Sequence, residues 1–307
     1  MLEYYNVEED FLPILENMAL LDPPRERSLE QLRNGTDYAI FGEPEPVRDV
    51  RSLRIPVDGA ELGARFYFPF TEPAALVVYY HGGGWVMGGL ESHDRGIRSL
   101  VNRAGVAALS IDYRMAPEHP FPVPFEDARA ALAWAVEHGG DLTGRELPLW
   151  VAGDSAGGNL AAGVALAARS GGRELAGQLL FYPSIDGHCS GASFSTRGDC
   201  PILTSHDMRW YWSTYSAGQD CSADWRFSPA RAEDLAGVAP AIIAIAGVDP
   251  LRDDGLDYAS ALARADVPVS MLYFPRQPHG FFNFLPLVPS AMRAFDEIAA
   301  RLVAMLR

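Results

Sequence analysis

The pentapeptide Gly153-Asp154-Ser155-Ala156-Gly157 constrains this chain more than any other feature. An apolar stretch of strand character, residues 147–152, precedes it, and an Ala-rich helical stretch, residues 155–169, follows. A serine on a strand-to-helix corner sits on a sharp, strained turn that pushes its hydroxyl out of the sheet. Side chains on either flank of such a turn would strike neighbouring backbone, so both flanks are glycine. The corner requires a sheet with helices laid against it.

The rest of the chain supplies that architecture. Residues 53–57 and 64–68 read as a hairpin around Asp58-Gly59. Residues 76–80, 106–111, 147–152, 179–182, 241–246 and 269–274 are short apolar runs of strand type. Residues 125–138 carry Ala128, Ala131, Leu132 and Ala135 at helical spacing, and 253–264 and 291–306 are further helices. Strands alternating with helices predict a mainly parallel sheet covered on both faces, the α/β class. Two regions break the rhythm. The first 45 residues hold short helical patterns, around Phe11 to Met18 and Leu29 to Leu32. Residues from about 185 to 227 hold all three Cys and the aromatics Trp210, Tyr211, Trp212, Tyr215 and Trp225. Both are expected to form a helical cap over the carboxyl ends of the strands, where open α/β sheets bind ligands. The catalytic core is expected at about 46–184 and 228–307, within one domain spanning 1–307.

The chemistry can be read residue by residue. His81-Gly82-Gly83-Gly84-Trp85 follows a strand, and its glycines let backbone N–H groups converge on one point, as an oxyanion hole requires. Ala156 offers a further N–H at the start of the helix. His81 and Gly82 are expected to orient the loop, His81 by hydrogen bonding, because it precedes the serine in chain order. The base expected in the order Ser, Asp or Glu, His is His279, on a loop after residues 269–274. Its carboxylate is expected to be Asp249, directly after the apolar strand 241–246. The rivals Asp253 and Asp254 fall in the first turn of the next helix, where acids cap N–H groups. Asp154 is read as structural. Trp85, Trp210, Tyr211 and Phe281 are candidate walls of a substrate pocket. Trp212 and Tyr215 fit lid packing equally well.

Composition excludes several alternatives. All 25 basic residues are Arg, and without Lys there is no Schiff base, no P-loop lysine and no Ser-x-x-Lys site. A net charge of -15 argues against nucleic-acid or anionic-membrane partners. Cys189, Cys200 and Cys221 form no C-x-x-C pair, and with His188 and His206 they match no zinc spacing, so neither metal nor other cofactor is expected. The N-terminus lacks a basic, then apolar, leader, and no apolar run nears the ~18 residues of a membrane helix. These readings point to the cytoplasm. A homodimer is left open.

Taken together, HGGGW, Asp112-Tyr113-Arg114-Met115-Ala116-Pro117-Glu118-His119-Pro120-Phe121-Pro122, GDSAGGN from Gly153, Asp249-Pro250-Leu251-Arg252-Asp253 and His279-Gly280-Phe281 resemble the hormone-sensitive lipase family of α/β-hydrolase carboxylesterases, in the branch with Asp before the serine. The resemblance spans about residues 77 to 285. It implies an eight-stranded, mostly parallel sheet flanked by helices with a helical cap. It implies oxyanion donors at Gly83, Gly84 and Ala156, structural roles for Arg114, Pro117 and Glu118, and hydrolysis of short acyl esters. The expected function is a serine carboxylesterase acting through an acyl-enzyme on Ser155. The alternatives are an amidase or deacetylase with the same triad, or a non-catalytic small-molecule receptor, a class that lacks the His.

Overall fold

A computed structural model describes residues 6–34, 44–172 and 174–307. Eight strands form one sheet in the order β1-β2-β4-β3-β5-β6-β7-β8. The hairpin strands β1 (Asp49–Val57) and β2 (Ala60–Phe68) are antiparallel, and β2 is antiparallel to β4 (Ala107–Asp112). All other pairings are parallel, through β3 (Leu76–Tyr80), β5 (Leu149–Asp154), β6 (Gly177–Phe181), β7 (Ala241–Val248) and β8 (Val269–Pro278). This is the α/β-hydrolase fold, as expected from the sequence.

Side-chain alternation makes the sheet a partition between two cores. In β3, Leu76, Val78 and Tyr80 face one core, whereas Val77 and Tyr79 face the other. In β7, Ala241, Ile243 and Ile245 alternate in the same way with Ile242, Ala244 and Ala246. Both faces are buried, so these strands read as continuous apolar runs. Helices α4 (Val123–Thr143), α5 (Ala156–Ser170) and α8 (Arg252–Arg264) close the first core. Helices α3 (Leu90–Ala104) and α9 (Pro289–Met305) close the second. Each fully buried Leu, Ile or Val contributes roughly 1.5–3 kcal/mol from burial.

Sequence reasoning passed over α3. Its apolar face, Ile97, Leu100, Val101 and Ala104, is spaced as a helix and fully packed. Trp85–Gly89, just before it, is a loop in which Gly88 and Gly89 take positive φ.

The flanking segments divide their contacts. Phe11, just before α1 (Leu12–Met18), packs edge-on against Phe284, and Asp10 accepts hydrogen bonds from the N–H (2.8 Å) and hydroxyl (2.6 Å) of Ser290. Helix α1 therefore lies beside the chain that follows His279. Helix α2 (Leu29–Asn34) sends Arg33 to the carbonyls of Val86 (3.0 Å) and Ala116 (3.1 Å) and to Glu118. The mid-chain segment contains α6 (Ser193–Thr196) and α7 (Ser205–Tyr215), the latter started by Thr204, whose hydroxyl accepts from the Asp207 N–H. Arg25 bridges to Asp207 at 2.9 Å and so joins the two flanking regions. The expected cap residues 1–5 and 35–43 lie outside the described residues.

Candidate active site

Ser155 has φ 53° and ψ −118°, an L residue forced into left-handed territory between β5 and α5. Its N–H is held by the carbonyl of Phe181 at 2.9 Å. The flanking glycines are required as the sequence implied. A Cβ on Gly153 would strike the backbone of Gly157, and one on Gly157 would strike the Tyr80 carbonyl. The predicted helix began at Ser155, but the strained corner sets its first residue at Ala156.

The three expected partners meet at this corner. His279 Nε2 lies 3.0 Å from Ser155 Oγ, and its Nδ1 lies 2.7 Å from Asp249 Oδ2. Asp249 is fully buried at the end of β7, and its other oxygen accepts the Leu251 N–H at 2.8 Å. With Nδ1–H donated to the carboxylate, Nε2 is free to take a proton from Oγ. The ring of Tyr182 packs against the imidazole at 4.8 Å. The rival carboxylates are occupied elsewhere. Asp253 accepts the Ser193 N–H (2.7 Å), and Asp254 accepts the N–H groups of Ile185 (2.8 Å) and Asp186 (2.9 Å). They tether the mid-chain segment rather than cap their own helix, a correction to the sequence reading. Burial pushes the carboxyl of Asp254 well above the usual range despite those two donors.

The glycine loop bends beside the serine. Gly83 and Gly84 have φ of 112° and 61°. Among the described residues no hydrogen bond engages the N–H groups of Gly83, Gly84 or Ala156. His81 packs into the base of the loop. Its Nδ1 donates to the Gly82 carbonyl at 2.8 Å, its ring stacks on Tyr113, and the Tyr113 hydroxyl donates to the His81 carbonyl. Burial, reinforced by His93, lowers the His81 pKa to about 3, so this imidazole is neutral.

Asp154 does more than the sequence suggested. Its Oδ1 accepts from Tyr79 Oη (2.8 Å) and Gly82 N–H (2.8 Å) and lies 3.1 Å from His93 Nε2. Burial opposes its charge, but His93 and these donors prevail and hold its pKa below the usual carboxylate value. His93, on the overlooked α3, was not singled out from sequence at all.

Among the pocket candidates, Tyr211 covers the loop so closely that a Cβ on Gly84 would strike its ring. Trp210 packs edge-on against Tyr211 and is partly exposed. Trp85 and Phe281 do not line a pocket. Trp85 is fully buried, stacked on Tyr215 at 4.4 Å and tilted against Trp212. Phe281 is fully buried in the core beyond the sheet, against Tyr182 and Phe274. Packing claims both rings because neither has a face left for a ligand. Arg114 pairs with buried Asp127 at 2.6 Å and Glu118 with Arg33, structural roles in keeping with the resemblance. Among the described residues no group of three or more His, Cys, Asp or Glu is arranged to hold a metal ion.

Residues 77–283 match the model of a family described by the alpha/beta hydrolase fold. The chain is 43% identical over 267 residues to the carboxylic ester hydrolase LipN of Mycobacterium tuberculosis, covering 84% of this chain and 71% of that one. It is 40% identical over 270 residues to the esterase LipI of the same organism, covering 84% of each. The chain belongs to the hormone-sensitive lipase family. A solved structure, the hyperthermophilic esterase of Pyrobaculum calidifontis, superposes with a TM-score of 0.90 at 34% identity, covering 97% of this chain and 98% of that one. The family's sheet and strand-to-helix corner thus account for the arrangement described above.

Proposed function

We propose that this chain, a carboxylic ester hydrolase by family, is a serine carboxylesterase that cleaves short- to medium-chain acyl esters through an acyl-enzyme on Ser155. The observation that carries the reading is the continuous contact from Asp249 through His279 to Ser155. His279 takes the Oγ proton as Oγ attacks the ester carbonyl, and Asp249 stabilises the imidazolium. The N–H groups of Gly83, Gly84 and Ala156 receive the developing oxyanion. His279 returns the proton to the leaving alcohol, and water, activated by the same base, releases the acid. The two flanking segments act as the cap over one catalytic domain, with Tyr211 as its nearest wall to the oxyanion loop. The substrate is a small ester met in the cytoplasm, and the net charge of -15 disfavours nucleic acid as a partner. The hydrogen bond between His279 and Ser155 weighs against a non-catalytic receptor.

An organophosphonate is expected to add its mass to Ser155 and abolish turnover, and Ser155→Ala to lower kcat by ~10⁴ or more. Because all proton transfers run through His279, a chelator should leave the rate unchanged. Loss of activity that added zinc restores would sink this reading.

A further inference from the structure

We propose that His93 is a positioning residue for catalysis, which acts by locking Asp154 to Gly82 and so fixing the distance between nucleophile and oxyanion donors. The inference rests on the serine-esterase reading and deepens it.

Asp154 immediately precedes Ser155, and Gly82 immediately precedes the donors Gly83 and Gly84. The two segments are joined by one carboxylate oxygen. Asp154 Oδ1 accepts the Gly82 N–H at 2.8 Å and the Tyr79 hydroxyl at 2.8 Å, and His93 Nε2 stands 3.1 Å from the same atom and 3.2 Å from Gly82 N. His93 comes from a third element, α3, and is only 3% exposed. An ionised carboxylate can only accept, so Nε2 carries its proton toward Oδ1. Nδ1 then faces the Ser92 hydroxyl at 2.8 Å, and that oxygen accepts the Gly89 N–H at 3.0 Å. The chain Gly89, Ser92, His93, Asp154 thus runs from the far end of the glycine loop to the nucleophile corner. The space is closed around it: a Cβ on Gly82 would collide with the Asp154 carboxylate, and one on Gly88 with the His81 ring.

A buried carboxylate held by three donors is rigid, and removing one donor leaves it under-solvated and free to shift. The reaction is sensitive to such shifts, because a displacement of about 1 Å can cost ~10²-fold in rate. His93 touches no substrate, so its loss acts on the transition state and not on ester binding.

The test compares His93→Asn, whose amide is too short to reach Asp154, with His93→Gln, whose amide can replace Nε2. Activity is expressed per site titrated by an organophosphonate, so misfolded protein does not count. His93→Asn is expected to lose about 10- to 100-fold in kcat with KM within about twofold, and His93→Gln to recover most of it. A trifluoromethyl ketone, which forms an oxyanion on Ser155, should bind His93→Asn more weakly by about the same factor. The matching methyl ketone should bind it as it binds the wild type. Equal kcat in His93→Asn and wild type, equal losses in both variants, or equal weakening of both ketones would overturn the proposal. Ser155→Ala runs in the same assay. If it retains activity the esterase reading itself has failed, whereas if it is inactive the His93 results bear on His93 alone.

Discussion

Two buried imidazoles beside the glycine loop have opposite tasks, and chemistry at the level of single atoms separates them. In the proposed mechanism His279 gains and loses a proton on each turnover. His81 must never gain one, since its Nδ1–H is committed to the Gly82 carbonyl and burial lowers its pKa to about 3. The unfolded chain protonates this side chain near 6.5, so between about pH 6.5 and 3 the unfolded state binds more protons than the folded state. Stability from this group is therefore complete above about pH 6.5 and is lost as pH falls through that window, at up to about 1.4 kcal/mol per pH unit. Thermal melts of His81→Gln should show a shallower fall in Tm between pH 6.5 and 4 than the wild type. Parallel curves would show that His81 carries no such load. The acids after β7 separate in the same way. Asp249→Asn should lower kcat by ~10²–10⁴ through loss of the tautomer. Asp254→Asn keeps an acceptor for Ile185 and Asp186 and should stay within about threefold of wild type. If Asp253→Asn or Asp254→Asn proves worse than Asp249→Asn, the carboxylate has been misassigned.

At the scale of elements, strands and the corner were legible because they depend on local rules. Apolar runs buried on both faces, paired glycines and the Asp58-Gly59 turn each mark a position regardless of what lies across the fold. The contact of His279 with Ser155 was legible only through chain order, yet its geometry is as expected. What escaped depends on neighbours distant in sequence. Trp85 read as a pocket wall because it follows the oxyanion loop, but Tyr215 and Trp212, some 130 residues later, claim its faces. His93 escaped because α3 begins badly, although Ile97, Leu100, Val101 and Ala104 were in plain view. The tight seat of α7 on the loop gives a further prediction. Gly84→Ala places a Cβ against Tyr211 at a φ of 61°, so kcat/KM should fall by ~10² or more. Adding Tyr211→Ala should recover part of that loss, since the ring is the obstacle. No recovery would mean that backbone strain alone is responsible.

For the molecule as a whole, the question is which esters can reach Ser155. Ser155 and His279 are each 7% exposed, and Tyr211 and the stack of Trp85, Tyr215 and Trp212 fill the space beside the loop. Arg25 and Arg33 tie the first flanking segment to α7 and to the chain after the loop. Among the described residues the large exposed apolar side chains are few: Leu20 and Leu21 adjoin, Met271 and Tyr273 are two apart on β8, and Phe70, Val136 and Leu287 stand singly in sequence. An interfacial lipase needs a contiguous apolar face of several hundred Å², and a net charge of -15 does not favour anionic lipid. Bounded by these rings, the site should select by size: each added methylene gains about 0.8 kcal/mol until the wall is met, and overpacking then reverses the gain. Across p-nitrophenyl esters from acetyl to palmitoyl, kcat/KM should therefore rise, peak at or below about eight carbons and fall. A steady rise to sixteen carbons, or a jump in rate once the substrate forms an emulsion, would show that the flanking segments open onto lipid and that the enzyme is a lipase.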